Sequence, residues 1–124
     1  MYELKIISNF AAAHQLRAFQ GGCERLHGHN WKVEVYVEGS ELGDDGLLID
    51  FGDIKKQTKD ILNGLDHRFL NELKPFETVE PSSENIARHI FESLSRRFND
   101  DRVKISRVSA WESETACASY TADN

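Results

Sequence analysis

The chain of 124 residues predicts an α+β domain: a four-stranded antiparallel sheet with two helices on one face, in the order ββααββ. Three observations predict it. Segments near both ends alternate apolar and polar residues with the period of a strand. Two central segments carry apolar stripes with the period of a helix. No linker, repeat or low-complexity stretch separates them, so residues 1–124 form a single domain.

Tyr2 to His14 reads as the first strand, with Leu4 and Ile6 alternating against Glu3 and Lys5. Asn30 to Gly39 reads as the second. Trp31, Val33, Val35 and Val37 share one face, and Lys32, Glu34, Tyr36 and Glu38 the other. Ser40 to Gly46 is a Gly- and Asp-rich turn, followed by the short apolar run Leu47-Leu48-Ile49. Asp53 to Leu65 predicts a helix with Ile54, Thr58, Ile61, Leu62 and Leu65 on one stripe and Lys55, Lys56, Lys59 and Asp60 facing away. A second helix starts after Pro81. Ser82 or Ser83 supplies its cap, Glu84 suits its positive end, and Asn99-Asp100-Asp101 stops it. Val103 to Glu112 and Thr115 to Thr121 close the chain as a strand pair. Four strands with helices on one face leave open edges, which predicts a homo-oligomer.

Fifteen basic and 21 acidic residues give a formal charge of −6. That excludes a nucleic-acid binder or an anionic-membrane binder, both of which need positive surface. No apolar run approaches the roughly 20 residues of a membrane-spanning helix. The first residues lack the basic-then-apolar layout of a signal peptide. Two cysteines, Cys23 and Cys117, are too few for a disulfide scaffold. A cytosolic protein with free thiols is therefore expected, with Cys117 as a small buried apolar residue.

The five histidines carry the chemistry: His14, His27, His29, His67 and His89. Residues two apart in a strand face the same way, so His27 and His29 can meet one ion, and Gly28 between them permits close approach. A third nitrogen comes from His14 if the first two strands pair as a hairpin. Three histidines form the ligand set of a catalytic zinc with one open position. Cys23, four residues before His27, leaves a closed Cys/His3 structural site as the other arrangement. His89 falls opposite the apolar stripe of the second helix and is expected in solvent. Asp66-His67 has the makings of a base and its orienting carboxylate. The plainer reading is a histidine at a helix C-terminus, meeting its dipole. Glu112 interrupts an otherwise apolar strand. A carboxylate there needs exposure or donors, and two adjacent N–H groups of a guanidine-like edge would serve it. Glu114 offers the same on spacing alone.

Together these segments resemble the 6-pyruvoyl-tetrahydropterin synthase family, and most closely its bacterial branch, the 6-carboxytetrahydropterin synthases. The resemblance runs nearly end to end. It is carried by Phe10-Ala11-Ala12-Ala13-His14, Cys23-Glu24-Arg25-Leu26-His27-Gly28-His29, Asp50-Phe51, Leu65-Asp66-His67-Arg68-Phe69-Leu70-Asn71, Pro81-Ser82-Ser83-Glu84-Asn85, and Glu112 with Tyr120. One departure is Ser113, where relatives usually place Thr directly after the glutamate.

The resemblance implies the tunnelling fold, in which subunits join strands into a shared barrel, usually as a hexamer of two trimers with sites between subunits. It implies zinc on His14, His27 and His29, Cys23 as the proton-moving thiol, Asp66 and His67 as its relay, and Glu112 as the pterin anchor. Ser82, Ser83 and Glu24 join Glu112 as substrate-contacting candidates. The implied reaction takes 7,8-dihydroneopterin triphosphate to 6-carboxytetrahydropterin, with acetaldehyde and triphosphate released, toward 7-deazaguanine and queuosine. Two related activities stand beside it: a 6-pyruvoyl-forming reaction, and a folate-branch reaction that uses Glu24, three residues before His27, to release 6-hydroxymethyl-dihydropterin. A zinc-binding module without enzymatic activity is the further alternative.

Overall fold

The structure, a computed structural model, describes residues 1–22 and 24–122. Strand β1 (Tyr2–His14) pairs antiparallel with β2 (His27–Gly39) in one unbroken register, Tyr2 opposite Gly39 and His14 opposite His27. Helix α1 (Phe51–Asn63) follows, then the two-residue strand β3 (Arg68–Phe69), helix α2 (Ser83–Phe98), β4 (Lys104–Ser113) and β5 (Ala116–Thr121). Short 3₁₀ turns occupy Leu70–Glu72 and Lys74–Phe76. The sheet order is β3-β1-β2-β4-β5.

The expected order ββααββ holds for the six main elements. The sheet gains a fifth strand, because β3 runs parallel to β1 at Ala12 and Ala13. Its cause lies just upstream. The Asp66 carboxylate accepts the Ala11 N–H at 2.8 Å, and the His67 N–H donates to the Ala11 carbonyl. Strand β2 starts three residues before the predicted Asn30, which brings both its histidines into the ladder. Helix α1 starts at Phe51 rather than Asp53, because Asp50 caps it by accepting the Gly52 N–H at 2.7 Å. Helix α2 is capped by Ser82, whose Oγ accepts the Asn85 N–H at 3.2 Å.

The core lies between one sheet face and the two helices. Ile6, Phe10, Trp31, Val33, Val35, Val37, Val108 and Ala110 meet Ile54, Leu62, Ile86, Ile90 and Leu94. The other face is polar. There Glu34 is buried, accepting from Trp111 Nε1 at 2.5 Å and from Lys5 Nζ at 3.2 Å. Burial pushes its carboxyl upward, but those two donors outweigh it and hold the group below the usual carboxylate range. No helix among the described residues is long and apolar enough to cross a membrane.

Two expectations need correction. Cys117 is exposed on edge strand β5, not buried, because that strand has no helix over its outer face at this point. His89 is half-buried rather than in solvent: its ring packs edge-on against Phe76, 5.7 Å between centroids. The 3₁₀ turn ending at Phe76 folds over that part of α2, which helix periodicity alone does not reveal. Burial lowers the His89 pKa below its ordinary 6.5, with Arg96 adding to the effect and Glu92 opposing it. A lowered folded pKa favours the neutral ring. This contribution to stability is therefore complete above about pH 6.5 and is lost as pH falls through that value toward the folded pKa. Urea unfolding at pH 7.5 and pH 5 should show a lower midpoint at pH 5. His89→Gln should shrink the difference, leaving the part due to other histidines; an unchanged difference would contradict the assignment.

Candidate metal and substrate site

The β1–β2 register places His14 directly across from His27, and His29 follows on the same face of β2. The three rings stand edge-on to one another, with centroid separations of 4.6 Å (His14–His27), 5.2 Å (His14–His29) and 4.6 Å (His27–His29). Beneath them lies Trp31, fully buried, whose ring meets His14 and His29 edge-on and stacks on Phe10. Glu112 reaches the cluster from β4. Its Oε1 lies 3.1 Å from His14 Nε2, 3.0 Å from His29 Nε2 and 3.8 Å from His27 Nε2.

The outer hydrogen bonds decide which nitrogens face inward. His14 Nδ1 lies 2.7 Å from the Pro81 carbonyl, and His27 Nδ1 lies 2.8 Å from the Arg25 carbonyl. A carbonyl only accepts, so each Nδ1 carries a proton and a neutral ring keeps a bare lone pair on Nε2. His29 Nε2 is buried and has no aligned hydrogen bond, despite its 3.0 Å approach to Glu112. Burial lowers the His29 pKa, and the neighbouring His27 and His14 add to this against Glu112. Charging all three rings would set like charges side by side. A cation satisfies the three lone pairs and the carboxylate at once. The four ligand atoms lie within 4.8 Å of one another. Tetrahedral ligands at zinc distances are roughly 3.3 Å apart, so only a small contraction is needed. The donor set fits a metal, and three imidazoles with an oxygen suit zinc.

Asp66 and His67 form the expected pair, His67 Nδ1 lying 3.1 Å from Asp66 Oδ2. The Ala11 N–H, then His67, hold the Asp66 carboxyl below its ordinary range. His67 adopts a positive φ of 57°, a left-handed conformation that histidine tolerates better than most residues. Its side chain is 82% exposed, and it is not one of the groups whose ligand atoms converge at the three-histidine cluster. The two groups nevertheless share an open cavity of about 510 Å³, whose wall includes Ala11, Gly28, His29, Asn30, His67 and Arg68. That volume suits a small ligand. Gly28 is not demanded by packing within the chain, since a Cβ there would meet only the Ala12 carbonyl at 3.7 Å.

Glu24 is more than a surface carboxylate. Its Oε1 accepts the Leu16 N–H at 3.2 Å and lies 3.8 Å from His27 Nδ1. Ser82 Oγ caps α2, and Ser83 is that helix's first residue. Cys23 lies outside the described residues. Sequence reasoning missed the Pro81 carbonyl, the Trp31 floor and the entry of Glu112 into the cluster. The even spacing that sets Val108, Ala110 and Glu112 on one face of β4 was the available signal for the last.

The sequence profile of the 6-pyruvoyl tetrahydropterin synthase family matches residues 3–123. A 6-carboxy-5,6,7,8-tetrahydropterin synthase of Haemophilus influenzae is 32% identical over 97% of this chain and 99% of its own. One of Synechocystis is 40% identical over 69% of each. A dihydroneopterin monophosphate aldolase of Pyrococcus furiosus is 37% identical over 85% of this chain and 84% of its own. The solved 6-pyruvoyl tetrahydropterin synthase of Caenorhabditis elegans superposes with a TM-score of 0.84 at 24% identity, covering 98% of this chain and 96% of that one. The architecture is thus the tunnelling fold, and the chain belongs to the 6-pyruvoyl tetrahydropterin synthase family.

Proposed function

We propose that the protein is a zinc-dependent lyase that converts 7,8-dihydroneopterin triphosphate and one water to 6-carboxy-5,6,7,8-tetrahydropterin, releasing acetaldehyde and triphosphate, in the cytoplasmic route to 7-deazaguanine and queuosine. One observation carries the reading: three imidazole nitrogens and a carboxylate oxygen face a common point, while the Nδ1 atoms of His14 and His27 are turned outward to backbone carbonyls. The names of the Haemophilus and Synechocystis relatives support the product.

The ring in this reaction gains the hydrogens that the side chain gives up. The task for protein groups is therefore to move protons and hold the substrate. His14, His27 and His29 hold the zinc. When bound, the metal supplies Lewis acidity that makes C–H bonds beside a side-chain hydroxyl acidic. Cys23, as thiolate, takes a proton from the side chain. His67, oriented by Asp66, returns protons elsewhere on the substrate. Glu112 accepts from the pterin's amino group and ring N–H, and Ser82 and Ser83 contact the substrate beside it. A three-histidine zinc leaves the fourth position to substrate, which favours Glu112 as anchor over Glu112 as permanent ligand.

The exposed His67 and the open sheet edges support an assembled site. Strand β1 pairs with β3 only at Ala12 and Ala13, and β5 is a bare edge. Joining such edges between copies builds a barrel, and a hexamer of two trimers brings one subunit's Asp66–His67 to another's metal.

A second reading has its own observation. The Leu16 N–H fixes the Glu24 carboxylate beside His27. With the Pyrococcus aldolase among the relatives, that placement favours an additional release of 6-hydroxymethyl-dihydropterin. Incubating the protein with dihydroneopterin triphosphate and identifying products by mass spectrometry tests both readings. Cys23→Ala and Glu112→Gln should keep zinc and lose turnover. Glu24→Ala should remove only the hydroxymethyl product. Zinc lost from Glu112→Gln would make that residue a ligand, and turnover retained by Cys23→Ala would exclude the thiol.

A further inference from the structure

Asn71 sits in the 3₁₀ turn immediately after β3. Both ends of its amide bind one residue: Oδ1 accepts the Gln15 N–H at 3.0 Å, and Nδ2 donates to the Gln15 carbonyl at 2.7 Å. The β1–β3 ladder ends at Ala13 opposite Phe69. A side chain thus continues the pairing beyond the last backbone partner, at the residue next to His14. From there the connection runs onward. Gln15 Nε2 donates to the Glu24 carbonyl at 2.7 Å, and the Glu24 N–H donates to the Leu16 carbonyl at 2.8 Å. The Pro81 carbonyl sets the rotation of the His14 ring, but it cannot fix the strand end from which that ring projects.

We propose that Asn71 is a positioning residue for the histidine cluster: it clamps the backbone after His14 and, through Gln15, steadies Glu24. The proposal rests on the metal reading above. Only an amide serves here, since the site needs one acceptor and one donor side by side. Aspartate would set a carboxylate oxygen against the Gln15 carbonyl.

Cobalt(II) is the probe, because its visible absorption reports both affinity and coordination geometry. Asn71→Ala and the nearly isosteric Asn71→Asp are titrated beside the wild type and beside Asp50→Ala, which removes the α1 cap far from the cluster. Losing a direct hydrogen-bond partner of a ligand ring weakens metal binding about 10–100-fold, and displacing the backbone that carries the ring is expected to act on the same scale. The expected result is a loss of that size in both Asn71 variants with a changed absorption band, and neither change in Asp50→Ala. A measurement on the wild type guards against variants that fail to fold. Linkage is reciprocal, so zinc loading should slow hydrogen exchange at the Gln15 amide. Wild-type affinity and band in a folded Asn71 variant, or Gln15 exchange indifferent to zinc, would overturn the assignment alone. A wild type that takes up no cobalt would overturn the metal reading as well.

Discussion

Replacing His29 by alanine is expected to abolish metal binding and turnover together while leaving the fold intact. The ring is about one-quarter exposed, so its removal opens a pocket that water can enter rather than an empty apolar cavity. Its Nε2 is buried without an aligned hydrogen bond, so removing it breaks none. Losing one of three imidazole ligands should weaken zinc by well more than the roughly 10–100-fold typical of an outer-shell loss. His27→Ala should behave in the same way. His67→Ala is the informative contrast. That ring lies outside the cluster, so its loss should leave zinc content unchanged and remove activity. Metal content after dialysis against a competing chelator, read beside product formation, separates the cases. Full zinc retention in His29→Ala would refute the three-histidine site.

The largest effect on stability is expected at Trp31. It is the largest fully buried side chain, stacked on Phe10 with centroids 5.8 Å apart and meeting His14 and His29 edge-on at 5.2 and 5.6 Å. Truncating such a residue to alanine costs about 3–5 kcal/mol, through lost burial and the cavity left behind. Against a net stability of about 5–15 kcal/mol this is a large fraction. Differential scanning calorimetry should show the midpoint lowered by roughly 10–20 °C. Zinc affinity should fall as well, because two ligand rings lose the surface that backs them. Trp31→Phe keeps an aromatic floor and omits an indole N–H that has no partner in this structure, so it should lose much less. A Trp31→Ala protein as stable as the wild type would mean that the cluster and core are braced elsewhere.

Much of this architecture was legible in the residue pattern because burial has a period. Alternation placed Trp31, Val33, Val35 and Val37 on one face of β2, and the structure buries all four. The same alternation put His27 and His29 on one side of the chain. The stripes of α1 and α2 were equally plain, since Ile54, Ile61, Leu62, Ile86, Ile90 and Leu94 all enter the core. What failed was local burial with no periodic signature. His89 is covered by a turn, and β3 exists only because Asp66 and His67 bind the edge of β1 at Ala11.

Pattern along the chain was enough to say which side chains share a face, that a serine at 82 or 83 caps α2 and that His27 and His29 point together, because backbone geometry within one element dictates those relations. The folded chain alone reveals that His14 stands opposite His27, that Glu112 joins them from β4, and that Pro81 and Asn71 hold the far end of β1. These are contacts between elements 13 to 98 positions apart in the chain. They depend on strand register and on where loops fold back, which a period within a segment does not encode.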